Sequence, residues 1–137
     1  MNRPARWVEL LLRMTVKRRV PPNVDLAALR RHYEEIDQRK FSVPSDVKRT
    51  PADAGGVRGE WVDVPESRPD RVLLYLHGGG FALRFPNMHA RFAARVARAI
   101  GARALLVDYR LAPEHPWPAA PDDCEAATRW KIGRAHV

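Results

Sequence analysis

The stretch Val72-Leu73-Leu74-Tyr75-Leu76-His77-Gly78-Gly79-Gly80-Phe81 decides how the rest of the chain is read. Its first five residues are apolar without a break, the pattern of a strand buried on both faces of a parallel sheet. Three glycines follow. Without a Cβ, glycine lets the backbone turn sharply and present N–H groups to a ligand. Two such groups aimed at a developing oxyanion stabilise the tetrahedral intermediate of acyl transfer. A triple glycine also suits a plain turn or a phosphate cradle. The phosphate patterns GxGxxG, and GxxxxGK followed by Ser or Thr, are absent here.

Downstream of the glycines, Asn87 is placed to cap a helix with the apolar face Met88, Phe92, Val96 and Ile100, ended by Gly101. Ala104-Leu105-Leu106-Val107 reads as a second buried strand. Strand, helix and strand make a βαβ unit, which predicts an α/β sheet rather than a bundle or sandwich. Ala119 to Trp130 reads as a further helix, with Asp122 and Asp123 at its positive N-terminal end. Upstream, Val47–Thr50 and Gly59–Val64 are expected as two strands joined by a turn at Ala54-Gly55-Gly56. Two amphipathic helices are expected before them. The first runs from Pro4 to Lys17, with Trp7, Leu10, Leu11 and Met14 on one face, and Pro21-Pro22 ends it. The second runs from a cap at Asn23 or Asp25 to about Arg39, with Leu26, Leu29, Tyr33 and Ile36 on one face.

The chain has 137 residues, a one-domain length, and is 45% hydrophobic, enough for a packed core. The net charge of +8 raises nucleic acid as a partner. The basic residues recur singly or in pairs, however, and only Lys17-Arg18-Arg19 makes a run of three, so no nucleic-acid partner is expected. A single cysteine, Cys124, excludes an internal disulfide and fits a reduced, cytoplasmic setting as a small core or half-buried residue. The apolar stretch Trp7–Val16 is broken by Glu9 and Arg13 and has no cleavage site after it. Neither a signal peptide nor a membrane partner is expected.

One helix and one strand after the glycines comes Asp108-Tyr109-Arg110-Leu111-Ala112-Pro113-Glu114-His115-Pro116-Trp117-Pro118-Ala119-Ala120. The two segments at this spacing closely resemble the hormone-sensitive-lipase family of esterases, also called bacterial family IV lipases or fold-3 α/β hydrolases. The resemblance covers roughly residues 70 to 130. It implies the N-terminal part of an α/β-hydrolase fold: a mostly parallel sheet flanked by helices. Residues 1–45 would form a helical cap region and 46–130 a partial core. It further implies that Gly79 and Gly80 are the oxyanion donors, that Gly78 shapes the turn and that His77 holds the loop by hydrogen bonds. Phe81 would line the acyl or alcohol pocket. Asp108, Tyr109, Arg110, Pro113 and Glu114 would be structural, with Arg110 and Glu114 a possible pair and Pro113, Pro116 and Pro118 stiffening the turn. The implied activity is hydrolysis of short to medium carboxylic esters through a serine acyl-enzyme, without cofactor or metal, on a small-molecule ester substrate.

The nucleophile of such an enzyme sits in a G-x-S-x-G elbow, followed by the acid and then the histidine. This chain has three serines, Ser42, Ser45 and Ser67; all precede the glycine loop and none lies in such an elbow. The triad is therefore expected beyond residue 137, and the chain alone is expected to be inactive. Lys131–Val137 departs from the family pattern. Ile132 to Val137 resembles a translated sequencing adapter, so 131–137 is expected to be a non-native tail. Without the nucleophile's strand, the strand ending at Leu76 is expected to become an open edge. Two other functions stay in view: a non-catalytic ligand-binding member of the same fold, and a short interaction protein.

Overall fold

The computed structural model describes residues 25–133. The expected helix at 4–17, the basic run at 17–19 and residues 134–137 lie outside them. Helix α1 spans Leu26–Lys40. The Asp25 carboxylate caps it, accepting from the N–H groups of Ala27 and Ala28 at 3.0 Å each. Strands β1 (Lys48–Asp53) and β2 (Arg58–Asp63) form an antiparallel hairpin; against the expected 47–50 and 59–64 they reach closer to the turn and stop one residue short at the open end. Gly55 and Gly56 turn it, both at positive φ. Strand β3 (Arg68–Leu76), helix α2 (Pro86–Ile100) and strand β4 (Ala102–Val107) form the expected βαβ unit, with β3 and β4 parallel. Helix α3 spans Ala119–Gly133, passing three residues beyond Trp130.

The sheet order is β1-β2-β4-β3, with β2 antiparallel to β4. Side chains alternate across this sheet and feed two cores. On one face Val62, Ala104 and Leu106, with Leu73 and Tyr75, meet the α2 alanines Ala90, Ala93, Ala94 and Ala97. On the other, Leu105 and Val107, with Trp61, Val72 and Leu74, meet Ala120, Ala127 and Trp130 of α3. The result is a mixed sheet between helices, the α/β layering read from the sequence.

Three expectations are corrected. The apolar run of β3 is half-buried rather than buried, and Leu76 is 44% exposed. The reason is topological: β3 is the end strand among the described residues, with β4 on one side only. Second, α2 does not bury Met88, Phe92, Val96 and Ile100. It buries His89 and four alanines, while Phe92 is 53% exposed. Small side chains bring the helix axis close to the sheet, and close packing outweighs the burial of a few larger groups. Third, Asn87 is not the cap of α2. Phe85 holds that position without a side-chain bond, and Pro86 opens the helix. The capping acceptor comes from α1. The Asp37 carboxylate, 0% exposed, takes the N–H groups of Asn87 and Met88 at 2.7 and 2.9 Å.

Candidate functional site

The loop from His77 to Phe85 leaves the C-terminal end of β3 and enters α2. Open α/β sheets place their ligand sites at such strand ends. Its shape depends on glycine at two positions. Gly79 has φ 135°, and a Cβ there would lie 2.1 Å from the Leu83 carbonyl oxygen. Gly80 has φ 62°, and Phe81 follows at φ 58°, a conformation that costs a non-glycine residue about 1 kcal/mol. The turn is thus set by residues 79–81. At Gly78, expected to shape it, an added Cβ would meet open space.

The orientation of two N–H groups follows from their own peptide planes. The only cis peptides among the described residues are Ala112–Pro113 and Trp117–Pro118, so the glycine peptides are trans, with C=O and N–H opposed. The Gly79 carbonyl accepts from the N–H groups of Leu83 and Ala82 at 3.0 and 3.2 Å. The Gly80 N–H, in the same plane, therefore points away from that turn. The Gly78 carbonyl accepts from Nδ1 of His77 at 2.9 Å, which sends the Gly79 N–H away from the ring. Neither the Gly79 nor the Gly80 N–H donates to a group among the described residues. Such a pair is chemically suited to an anionic oxygen.

His77 is 8% exposed, and burial holds its imidazole below the usual value. A carbonyl can only accept, so Nδ1 carries the proton and Nε2 is a bare acceptor. The neighbouring His89, 5.2 Å away between ring centroids, is also held down, by burial and then by His77. Its Nδ1 shares a 3.1 Å hydrogen bond with the Tyr75 hydroxyl. Both rings border a cavity of about 230 Å³ between the sheet and α2.

The segment from Asp108 onward grips this loop residue by residue. Asp108 pairs with Arg84. The Tyr109 hydroxyl donates to the His77 carbonyl at 2.5 Å. The Ala112 N–H donates to the Phe81 carbonyl at 2.8 Å. The two motifs are thus one physical object, with the second bracing the first. The pairing expected between Arg110 and Glu114 does not form. Arg110 instead holds Asp123 through its guanidinium and its N–H, at 2.7 to 3.1 Å. This carboxylate stays well below its ordinary value chiefly through that bond, and the tie joins the motif to α3. Glu114 pairs with Arg30 of α1, which holds its carboxyl down. Pro113, just before it, is joined to Ala112 by a cis bond.

Phe81 is 59% exposed beside a cavity it shares with Gly80, His115 and Trp117. None of the three serines lies on the glycine loop. The Ser67 hydroxyl donates to the Ala102 carbonyl at 2.9 Å just before β3, at the strand's other end. Cys124 is half-buried, and burial pushes its thiol up, away from nucleophile behaviour. No helix among the described residues is long and apolar enough to cross a membrane.

The sequence reading missed Arg30, Asp37, Arg84 and His89. For the first two a signal existed. Arg30 and Asp37 fall four residues after Leu26 and Tyr33, on the apolar face of α1, where a charge needs a buried partner.

A family model for the α/β-hydrolase fold matches residues 73–136. Esterase LipI of Mycobacterium tuberculosis is 46% identical over 86 residues, covering 58% of this chain and 25% of that protein. An acetyl-hydrolase of Streptomyces hygroscopicus is 44% identical over 75 residues, again 25% of its length. Among solved structures, an esterase of the bacterial hormone-sensitive lipase family superposes with TM-score 0.74 at 37% identity, over 86% of this chain and 39% of that one. An esterase/lipase from an uncultured bacterium gives TM-score 0.74 at 35% identity, over 98% and 44%. The chain thus spans less than half the length of these relatives. Fold, paired motifs and likenesses agree: the chain has the α/β-hydrolase fold and is similar to part of a hormone-sensitive-lipase-type esterase.

Proposed function

We propose that residues 77–81 are the oxyanion-binding part of a carboxylic-ester hydrolase that works through a serine acyl-enzyme. One observation supports the reading: each of two adjacent glycine peptides has its carbonyl tied inward and its N–H without a partner among the described residues. When a serine adds to the ester carbonyl, charge moves onto the carbonyl oxygen, and the N–H groups of Gly79 and Gly80 receive it. Donors fixed beforehand need no reorganisation as the charge develops, the condition under which such groups lower a barrier most.

In this reading His77 orients the loop and is not a base: its Nδ1 proton is committed to the Gly78 carbonyl, and its bare Nε2 is buried, out of a substrate's reach. Phe81 borders the acyl or alcohol pocket, and residues 1–45 and 46–130 are cap region and partial core. Asp108, Tyr109, Arg110, Pro113 and Glu114 brace the loop. The nucleophile, acid and catalytic histidine are contributed by residues outside this chain, and the substrate is a small carboxylic ester of short to medium acyl length.

The test is a p-nitrophenyl butyrate assay run side by side on the isolated chain and on the whole gene product that contains it. Turnover by the gene product alone, abolished by a serine-directed phosphonate, is expected. A gene product that binds esters without hydrolysing them would move the reading to a ligand-binding role.

A further inference from the structure

We propose that Arg30 of α1 is a positioning residue for the oxyanion donor at Gly80, acting through two peptide planes. The inference rests on the reading of Gly79 and Gly80 as oxyanion donors. The Arg30 side chain is 19% exposed and spends its donors on two loops at once. Its Nε donates to the Ala82 carbonyl at 3.0 Å, and its Nη2 to the Ala112 carbonyl at 2.8 Å. Both terminal nitrogens also hold the Glu114 carboxylate, at 2.9 and 3.0 Å.

The bond to Ala82 has a directional consequence. The Ala82 carbonyl and the Leu83 N–H share one peptide, and that N–H donates to the Gly79 carbonyl at 3.0 Å. The Gly79 carbonyl in turn shares a peptide with the Gly80 N–H. A single file of donors thus runs from the guanidinium through Ala82–Leu83 and Gly79–Gly80 to the oxyanion position. Every dipole in it points the same way, so each bond polarises the next. Arg30 therefore fixes the Gly80 N–H in place and strengthens it as a donor, and because an oxyanion exists only in the transition state, its effect falls on kcat. Lysine preserves the charge but not the fork that holds Ala82, Ala112 and Glu114 together.

The experiment compares Arg30→Ala, Arg30→Gln and Arg30→Lys with wild type in the whole gene product. The readouts are kcat and KM on p-nitrophenyl butyrate, thermal midpoint, and deuterium uptake of peptides covering 77–85. Arg30→Gln and Arg30→Ala are expected to lose about tenfold or more in kcat with KM changed less than about threefold. Uptake in 77–85 should rise, and Arg30→Lys should fall between. Where Arg30→Ala fails to fold, the Gln and Lys variants decide. A kcat within twofold of wild type in folded Arg30→Gln overturns the proposal. If the wild-type gene product hydrolyses no ester, the oxyanion reading fails instead. Deuterium uptake then judges the anchor alone, and unchanged uptake in the variants overturns it.

Discussion

The Tyr109 hydroxyl donates a 2.5 Å hydrogen bond to the His77 carbonyl, and the two rings stack at 4.2 Å with 8° between their planes. One side chain thus fixes the backbone and the imidazole where the glycine loop begins. Burial pushes the Tyr109 phenol up to about 12, so it remains a donor throughout the accessible pH range. Tyr109→Phe keeps the stack and deletes the bond, leaving a buried carbonyl unsatisfied. A loss of about 1–3 kcal/mol in urea-unfolding free energy is expected. No change in the urea midpoint would mean that the bond does not hold the loop.

Gly79 and Gly80 should respond differently to alanine. At Gly80 the added Cβ meets open space and only the left-handed φ is strained, a cost of about 1 kcal/mol. At Gly79 the Cβ would overlap the Leu83 carbonyl, so the turn itself must open. Gly79→Ala is expected to destabilise by more than about 3 kcal/mol, beyond what strain alone costs, and to abolish ester turnover. Equal thermal midpoints for the two variants would contradict the close approach at Leu83.

Asp37 is buried at the N-terminus of α2, where its charge meets two free N–H groups and the positive end of the helix dipole. Asp37→Asn keeps one acceptor and should cost about 1 kcal/mol, and Asp37→Ala about 2 kcal/mol. Equilibrium unfolding of the two variants checks the order. An alanine variant as stable as wild type would show that α2 does not depend on this cap.

Both His77 and His89 are held below the usual imidazole value, chiefly by burial. The native state therefore binds fewer protons than the unfolded chain at mildly acidic pH, and stability rises with pH there. The contribution is fully present above about pH 6.5 and is lost as pH falls through the lowered native values. The carboxylates of Glu114 and Asp123, held down by arginine partners, act in a lower window. Urea midpoints should fall between pH 7.5 and 5.5, and His89→Phe should flatten that dependence. A wild-type midpoint equal at both values would refute it.

The βαβ unit was legible because β3 and β4 each contain an unbroken apolar run, Val72–Leu76 and Ala104–Val107, and Gly101 ends the helix between them at φ 61°. The glycine loop was legible because few residues other than glycine tolerate its backbone. What the sequence did not display were the ties across it. Periodicity picks out large apolar residues, so it marked Phe92 and Ile100 on α2, while the surface packed on the sheet is alanine. Capping rules look within a few residues, whereas the cap of α2 is Asp37, fifty residues upstream of Asn87. Arg110 and Glu114 stand one helical turn apart and invite pairing. Their segment is not a helix, and it sends one to α3 and the other to α1.

The proposed role of residues 77–81 requires that two glycine peptides, held by their carbonyls, offer their N–H groups to one oxyanion. A crystal structure of the whole gene product inhibited with a p-nitrophenyl phosphonate measures this directly. A phosphoryl oxygen about 2.7–3.1 Å from both the Gly79 and the Gly80 nitrogens is expected, with His77 Nδ1 still on the Gly78 carbonyl. A phosphoryl oxygen turned toward other donors, with both N–H groups left unpaired, would contradict it.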